Sequence, residues 1–301
     1  MQTRRKAPRS LLTEADRYLA DKLRERNQTV ISPYRFFRLI QEMYREGDVR
    51  RLRKHTVPDE RLYRKYFNRL RRVDIIGPDP DYGPQLVQVR VVSSQPVEEI
   101  VCLADPLCHL SHLSAMQRWG LTNRLPNVII CTRPNRHTAR ARLAEMMENH
   151  PYSLPPDRLR ARPVNHPPHV RHRPVQVTES RTLGEYVQVS DNLLRLTTIG
   201  QTFLDMLQRP GLCGGMSHVL EVWDEHAETW HKEIIAVVNA CNKKIVKCRA
   251  GHILEERLGI HHETISAWKT SAPQRGGSCK LDPTKAYASD FSESWMLSLN
   301  V

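Results

Sequence analysis

The stretch PDERLYRKYFNRLRRVDIIGPDPDYGPQLVQVRV, residues Pro58 to Val91, decides how the first third of this chain folds. In its first half Leu62, Tyr66, Phe67, Leu70 and Val73 recur at helical spacing, which predicts a helix from about Pro58–Asp59 to Val73. The opposite face carries Arg61, Arg64, Lys65, Asn68 and Arg72, with Arg69 and Arg71 on its flanks. The second half holds two short extended runs, Asp74 to Ile76 and Gln85 to Val91, around the turn-rich GPDPDYGP (Gly77 to Pro84). Two such runs around Pro, Gly and Asp predict a hairpin.

Two more helical patterns precede this stretch. Leu11, Leu12, Ala15, Leu19 and Leu23 define the first, with Asn27 as its stop. Ser32 followed by Pro33 reads as a capped start of the second. Its stripe is Phe36, Phe37, Leu39, Ile40 and Met43, and Gly47 stands where it ends. Three helices and then a hairpin is the order of a winged helix-turn-helix. In that fold the third helix enters the major groove and the hairpin wing lies along the backbone. Guanidinium groups at Arg61, Arg64, Arg69 and Arg72 suit phosphate or guanine, as does the ammonium of Lys65, and Asn68 suits adenine. Arg4, Arg5, Lys6 and Arg9 read as a basic arm that adds phosphate or minor-groove contacts. Arg50, Arg51, Arg53 and Lys54 face the same polyanion.

Charge supports this expectation. The 301 residues carry 46 Lys and Arg against 33 Asp and Glu, a net of +13. Residues 1–92 hold 22 basic and 12 acidic side chains, a net of +10, which leaves +3 for the rest. A basic excess concentrated in one third of a chain points to a polyanionic partner. The alternative is a solvated cationic surface with no specific partner. Mean hydropathy is −0.55, no apolar run approaches the roughly 18 residues of a membrane span, and acidic residues follow the basic start at once. The expectation is a cytoplasmic protein without a membrane partner. Seven scattered cysteines argue against a disulfide framework.

Beyond Val91 the signals are weaker. PLCHLSHLSAMQRWGL (Pro106 to Leu121) reads as a short helix, with Leu110, Leu113 and Met116 on one face, and Asn127 to Thr132 reads as a strand. Residues 155–174, rich in Pro, Arg and His, read as interrupted strands or a surface loop. From Leu194 onward helical stripes return: Ile199, Phe203, Met206 and Leu207; Met216, Val219, Leu220 and Trp223 after Ser217 as cap; Ile234, Ile235, Val238 and Cys241; and Val246, Ala250, Ile253, Leu254 and Leu258 up to Gly259. Residues 271–285 are turn-rich and expected to be mobile, and Trp295, Leu297, Leu299 and Val301 alternate as in a strand. The predicted fold class is therefore α+β. A winged helix-turn-helix with its basic arm occupies 1–94, and a larger mixed α/β domain with a helical C-terminal half occupies 95–301.

No catalytic constellation emerges. Cys108, His109 and His112 lie close in sequence, but no second Cys/His pair stands at zinc spacing. The glycines of PGLCGGMS (Pro210 to Ser217) lack the Lys-Ser/Thr of a P-loop. The expectation is a non-enzyme without metal or cofactor.

Three blocks resemble one known family. DPLCHLSHLSAMQRWGLTNRLP (Asp105 to Pro126) is similar to the HLSAL…GL…P signature of AbiEi-family antitoxins. LTTIGQTFLDMLQRPGLCGGMSHVLEVWDEH (Leu196 to His226) resembles that family's central block, and KCRAGHILEERLGI (Lys247 to Ile260) resembles its closing helix. The tail after 265 has no counterpart. The resemblance implies a bacterial type IV toxin–antitoxin protein tied to phage defence. Its N-terminal winged helix would repress its own promoter by binding repeats in double-stranded DNA, and its second domain would counter a co-encoded nucleotidyltransferase-like toxin functionally, with or without direct contact. The antitoxin residues of the second domain stay unassigned. The alternatives are a nucleic-acid-processing enzyme targeted by the winged helix, or an RNA-binding interaction protein.

Overall fold

The computed structural model of the chain describes residues 12–46, 49, 52, 56–189, 194–271 and 279–301. Thr13 and Asp16 open the first helix, α1 (Glu14–Arg26), with a capping box. Thr13 Oγ1 accepts from the Asp16 amide, and Asp16 Oδ2 accepts from the Thr13 amide at 2.9 Å. Asn27, at φ 47°, ends it in the left-handed conformation that Asn tolerates better than most residues. The second helix, α2 (Pro33–Glu46), begins where Ser32 Oγ accepts from the Arg35 amide at 3.2 Å. Phe36, Phe37, Leu39, Ile40 and Met43 of its stripe are all fully buried. Each such side chain stabilises by about 1.5–3 kcal/mol relative to exposure.

Between these helices lies a two-residue strand, β1 (Val30–Ile31), too short for any periodicity to reveal. Helix α3 (Glu60–Arg72) follows, capped by Asp59, whose Oδ1 accepts from the Leu62 amide at 2.9 Å. Strands β2 (Ile76–Asp79) and β3 (Gly83–Val89) form the expected hairpin, and β1 adds to the far edge of β3, giving the order β1-β3-β2. The apolar faces of the three helices and this sheet share one core.

Next come helix α4 (Val97–Ala104), strand β4 (His109–Leu110), helix α5 (His112–Arg118), strand β5 (Ile129–Pro134) and helix α6 (Arg136–Glu148). Strands β6 (His169–Val170), β7 (Arg173–Ser180), β8 (Tyr186–Gln188) and β9 (Arg195–Thr197) complete a six-stranded mixed sheet of order β6-β7-β5-β4-β9-β8. Its central pairing, β4 with β5, is antiparallel, and the pairings on either side of it, β5 with β7 and β4 with β9, are parallel. The helix expected over Pro106 to Leu121 starts later than its apolar spacing implied, because His109 and Leu110 pair with Thr132 and Cys131 of β5.

The remaining helices, α7 (Ile199–Gln208), α8 (Met216–His226), α9 (His231–Ala240), α10 (Lys244–Gly251) and α11 (Glu263–Ala267), enclose a separate apolar core with Phe203 packed edge-on against Trp223. Ser217 lies inside α8 rather than capping it; Gly214 and Gly215, both at positive φ, make the entry. After Gly251 the helix widens into a π-helical turn over His252–Arg257.

The end of the chain returns to this core. Strands β10 (Cys279–Lys280), β11 (Phe291–Ser292) and β12 (Leu297–Ser298) form a small sheet of order β10-β12-β11. Asn300 fastens it by donating to the carbonyls of Asp282 and Ala286, each at 2.9 Å. Of the segment expected to be mobile, 272–278 lies outside the described residues, but Cys279–Lys280 are paired and Leu281 and Asp282 are buried. The chain is thus α+β, with eleven α-helices and three sheets among the described residues.

Candidate nucleic-acid interface

Helix α3 is held by aromatic packing on its inner side. Phe36 meets Tyr63 and Phe67 edge-on, Tyr63 stacks on Phe67, and the hydroxyls of Tyr44 and Tyr66 stand 3.1 Å apart. Burial pushes the Tyr63 phenol up to about 12, so it stays protonated and neutral. This packing turns Arg61, Arg64, Lys65, Asn68, Arg71 and Arg72 outward, where all six are exposed. Among the described residues the side chains of Arg61, Asn68, Arg71 and Arg72 have no hydrogen-bond or ion-pair partner. Arg64 reaches back one turn to Glu60 at 2.5 Å, and Lys65 lies 5.8 Å from the Tyr66 ring centre. The unpaired guanidiniums of Arg61, near the start of α3, and of Arg71 and Arg72, at its end, can each take a phosphate or a base edge without first breaking an internal ion pair.

Arg69 belongs elsewhere. Its guanidinium is 2.9 Å from Asp16 Oδ2, and Asp16 is fully buried. The pair ties α3 to the start of α1, so Arg69 is a strut rather than a free contact. Spacing alone could not separate it from its neighbours. Arg4, Arg5 and Lys6 lie outside the described residues, as do Arg9, Arg50, Arg51, Arg53 and Lys54.

The hairpin differs most from a free wing. Its turn is docked on the second part of the chain: Arg171 pairs with Asp79 at 2.6 Å and also with Asp81. Gln85 exchanges hydrogen bonds with the backbone of Asn165 at 2.9 and 3.2 Å. With its turn tied to Arg171, the hairpin is not a free wing. The sequence marked the turn but not its partner, which is 90 residues away.

Beside this joint Tyr82 Oη and His166 Nδ1 are 2.9 Å apart, while His166 Nε2 stands 3.5 Å from Asp105 Oδ2. Burial alone would push the imidazole down. The Asp105 carboxylate, and then Cys108, more than offset this and hold it at about 9. A histidine raised above its unfolded value near 6.5 contributes stability that is full below that pH and lost as pH rises through 9. Between pH 6.5 and 9 the chain is expected to lose roughly 3 kcal/mol of unfolding free energy, at 1.36 kcal/mol per pH unit. Urea unfolding at pH 6, 7.5 and 9 reads this directly. A His166→Gln variant with the same slope would rule out His166 as its source.

Of the Cys108, His109 and His112 cluster, only the histidines reach a common space. Cys108 is wholly buried, and its contact with Cys131 together with burial holds the thiol well above its usual range. A protonated buried thiol is a poor nucleophile. His109 and His112 line a cavity of about 400 Å³ shared with Thr132, Thr178, Asp205 and Arg209. Burial holds both imidazoles down at about 4, so they are neutral near pH 7, and burial raises the Asp205 carboxyl to about 7. His112 sits at φ 53°, in the left-handed region that His enters more readily than most non-glycine residues. Among the described residues no three His, Cys, Asp or Glu side chains converge as metal ligands would.

No family model and no curated protein matches this chain. Its fold is similar to the crystal structure of the RV2827C protein from Mycobacterium tuberculosis, with 12% identity over 99% of this chain and 94% of that one, and a TM-score of 0.48.

Proposed function

We propose that this chain is a DNA-binding autorepressor and antitoxin, in which residues up to about 94 act as a winged helix and α3 reads duplex DNA upstream of the chain's own gene. The observation that carries the DNA half is the outward face of α3, where the side chains of Arg61, Asn68, Arg71 and Arg72 stand exposed without partners among the described residues and Arg64 and Lys65 add two further cations. Because the hairpin turn is tied to Arg171, backbone anchoring falls to the helix flanks and the arm rather than to the wing tip.

The antitoxin half rests on the resemblance of three sequence blocks. Their packing supports treating them as one unit. Trp119 Nε1 of the first donates to the Thr197 carbonyl of the second at 2.9 Å, and Arg249 of the third donates to the Leu207 carbonyl at 2.8 Å. Such a unit would oppose a nucleotidyltransferase-like toxin encoded beside it.

A gel-shift titration on the upstream DNA against random DNA of equal length tests the first half. With about six phosphates neutralised, log K is expected to fall with log salt at a slope near −5. Arg64→Ala is expected to weaken specific binding by about 1–3 kcal/mol if it reads a base. Arg69→Ala serves as the contrast, lowering the unfolding midpoint because it strips Asp16 of its counter-ion. Binding no tighter than to random DNA, or undiminished in an Arg61→Ala/Arg64→Ala/Lys65→Ala variant, would refute the reading. Co-expression with the adjacent toxin gene tests the second half through cell growth.

A further inference from the structure

A second cationic feature lies away from the outer face of α3. Between the first unit and the sheet-bearing part of the chain is a cleft of about 600 Å³. Six guanidiniums contribute to its lining: Arg35 from the first turn of α2, Arg136 and Arg140 from α6, and Arg158, Arg160 and Arg162 from the following segment. No carboxylate is among its lining residues. Arg158 is 3.8 Å from Glu60 and Arg160 is 2.9 Å from Asp157, while Arg162 donates only to the Asp157 carbonyl. Among the described residues Arg35, Arg136 and Arg140 have no ion-pair or hydrogen-bond partner for their side chains.

Arg35 is the most telling of these. It is half-buried, and burial, then the like charges of Arg195 and Arg26, push its guanidinium below the usual value. A partly desolvated cation facing other cations is costly unless an anion joins it. The cleft also has an apolar side, made by Leu103, Leu143, Met146 and Val164. Its volume falls in the range of small-ligand sites, roughly 300–1,000 Å³, and α2, the hairpin, α6 and residues 158–165 line it as an open cleft. A duplex about 20 Å wide docks on a convex helix in a groove, not inside such a space.

We propose that this cleft binds a small polyphosphate-bearing anion of nucleotide size, with its phosphates on Arg35, Arg136 and Arg140 and any nucleoside against Leu103, Leu143 and Met146. The inference is independent of DNA reading by α3, although Arg158, through Glu60, places the cleft next to that helix.

Calorimetric titration of the full chain at physiological ionic strength, with ATP and with inorganic tripolyphosphate as probes, tests it. Both arginines of α6 are exposed, so Arg136→Gln/Arg140→Gln should fold normally, checked by its melting without ligand. At least one probe is expected to bind the unaltered chain and to lose about tenfold or more in affinity in that variant, because two charge-assisted contacts to the phosphates are removed. An Arg61→Gln/Arg64→Gln/Lys65→Gln variant should bind the probes as the unaltered chain does. Equal binding of both probes assigns recognition to the phosphates alone, and preference for ATP adds the apolar side; either supports the proposal. Binding of neither probe, equal losses in both variants, or a cleft variant that loses only duplex DNA would overturn it.

Discussion

Trp295→Ala is expected to destabilise the chain by about 3–5 kcal/mol, the cost typical of truncating a fully buried large aromatic. Trp295 has no exposed surface and belongs to the same core as Phe203 and Trp223, although it lies six residues from the last residue of the sequence. Its ring rests directly on Gly251: a Cβ built there would lie 2.1 Å from the ring edge. No real contact is that short, so Gly251→Ala must displace the indole and is expected to cost about 1–3 kcal/mol by overpacking. Trp295→Phe should cost clearly less than Trp295→Ala, because the indole N–H is buried without an acceptor among the described residues and its loss offsets part of the lost contact. Urea unfolding with a constant slope measures all three. A loss under about 1 kcal/mol for Trp295→Ala would mean that the tail after 265 is an appendage rather than part of the core.

Arg171→Met is expected to cost about 3–5 kcal/mol, because it leaves the carboxylate of Asp79 buried without a counter-ion. The Asp79 side chain has no solvent exposure; among the described residues it accepts, besides Arg171, only from the amides of Asp81 and Tyr82, both at 3.0 Å. Arg171 is itself unusual. With His172 it makes the two-residue turn between β6 and β7, both at positive φ, 49° and 66°. That turn type prefers Asn-Gly, so an arginine there is held against its backbone preference. A double-mutant cycle separates the pair from the turn. Asp79→Asn/Arg171→Met should be less damaging than Arg171→Met alone, since both partners of the pair are then removed. Strict additivity would show that the ion pair does not join the two parts of the chain.

The first unit was largely legible because its information is local. Ser32–Pro33, Asp59 and Asn27 sit at helix ends for reasons that operate within four residues; Ala15, Leu19 and Leu23 of α1, the whole stripe of α2, and Tyr66 and Leu70 of α3 are buried, while Leu62, Phe67 and Val73 are half-buried against the same core. The sheet of the second part was not, because its strands are defined by partners far along the chain. Cys131 of β5 pairs with Val177 of β7 and Leu110 with Leu196. Helix α6 went unread although Asn135 caps it and Ala139, Leu143 and Met147 lie four apart, because its remaining surface is polar. For the candidate site, spacing grouped the arginines of α3 correctly as a face but could not show that Asp16, more than 50 residues upstream, engages Arg69. The arginine cleft is assembled from segments at 35, 136–140 and 158–162, so its concavity exists only after folding.

The joint at the hairpin turn bears on how this protein can be dissected. A fragment ending near residue 94 would keep α3 and its cations intact. It would also bare Val30, Tyr82 and Leu86, which belong to the core beneath the six-stranded sheet, and leave Asp79 facing water or nothing. Such a piece is a poor candidate for transplantation onto another protein, because its solubility depends on a companion surface supplied about 80 residues further along the same chain.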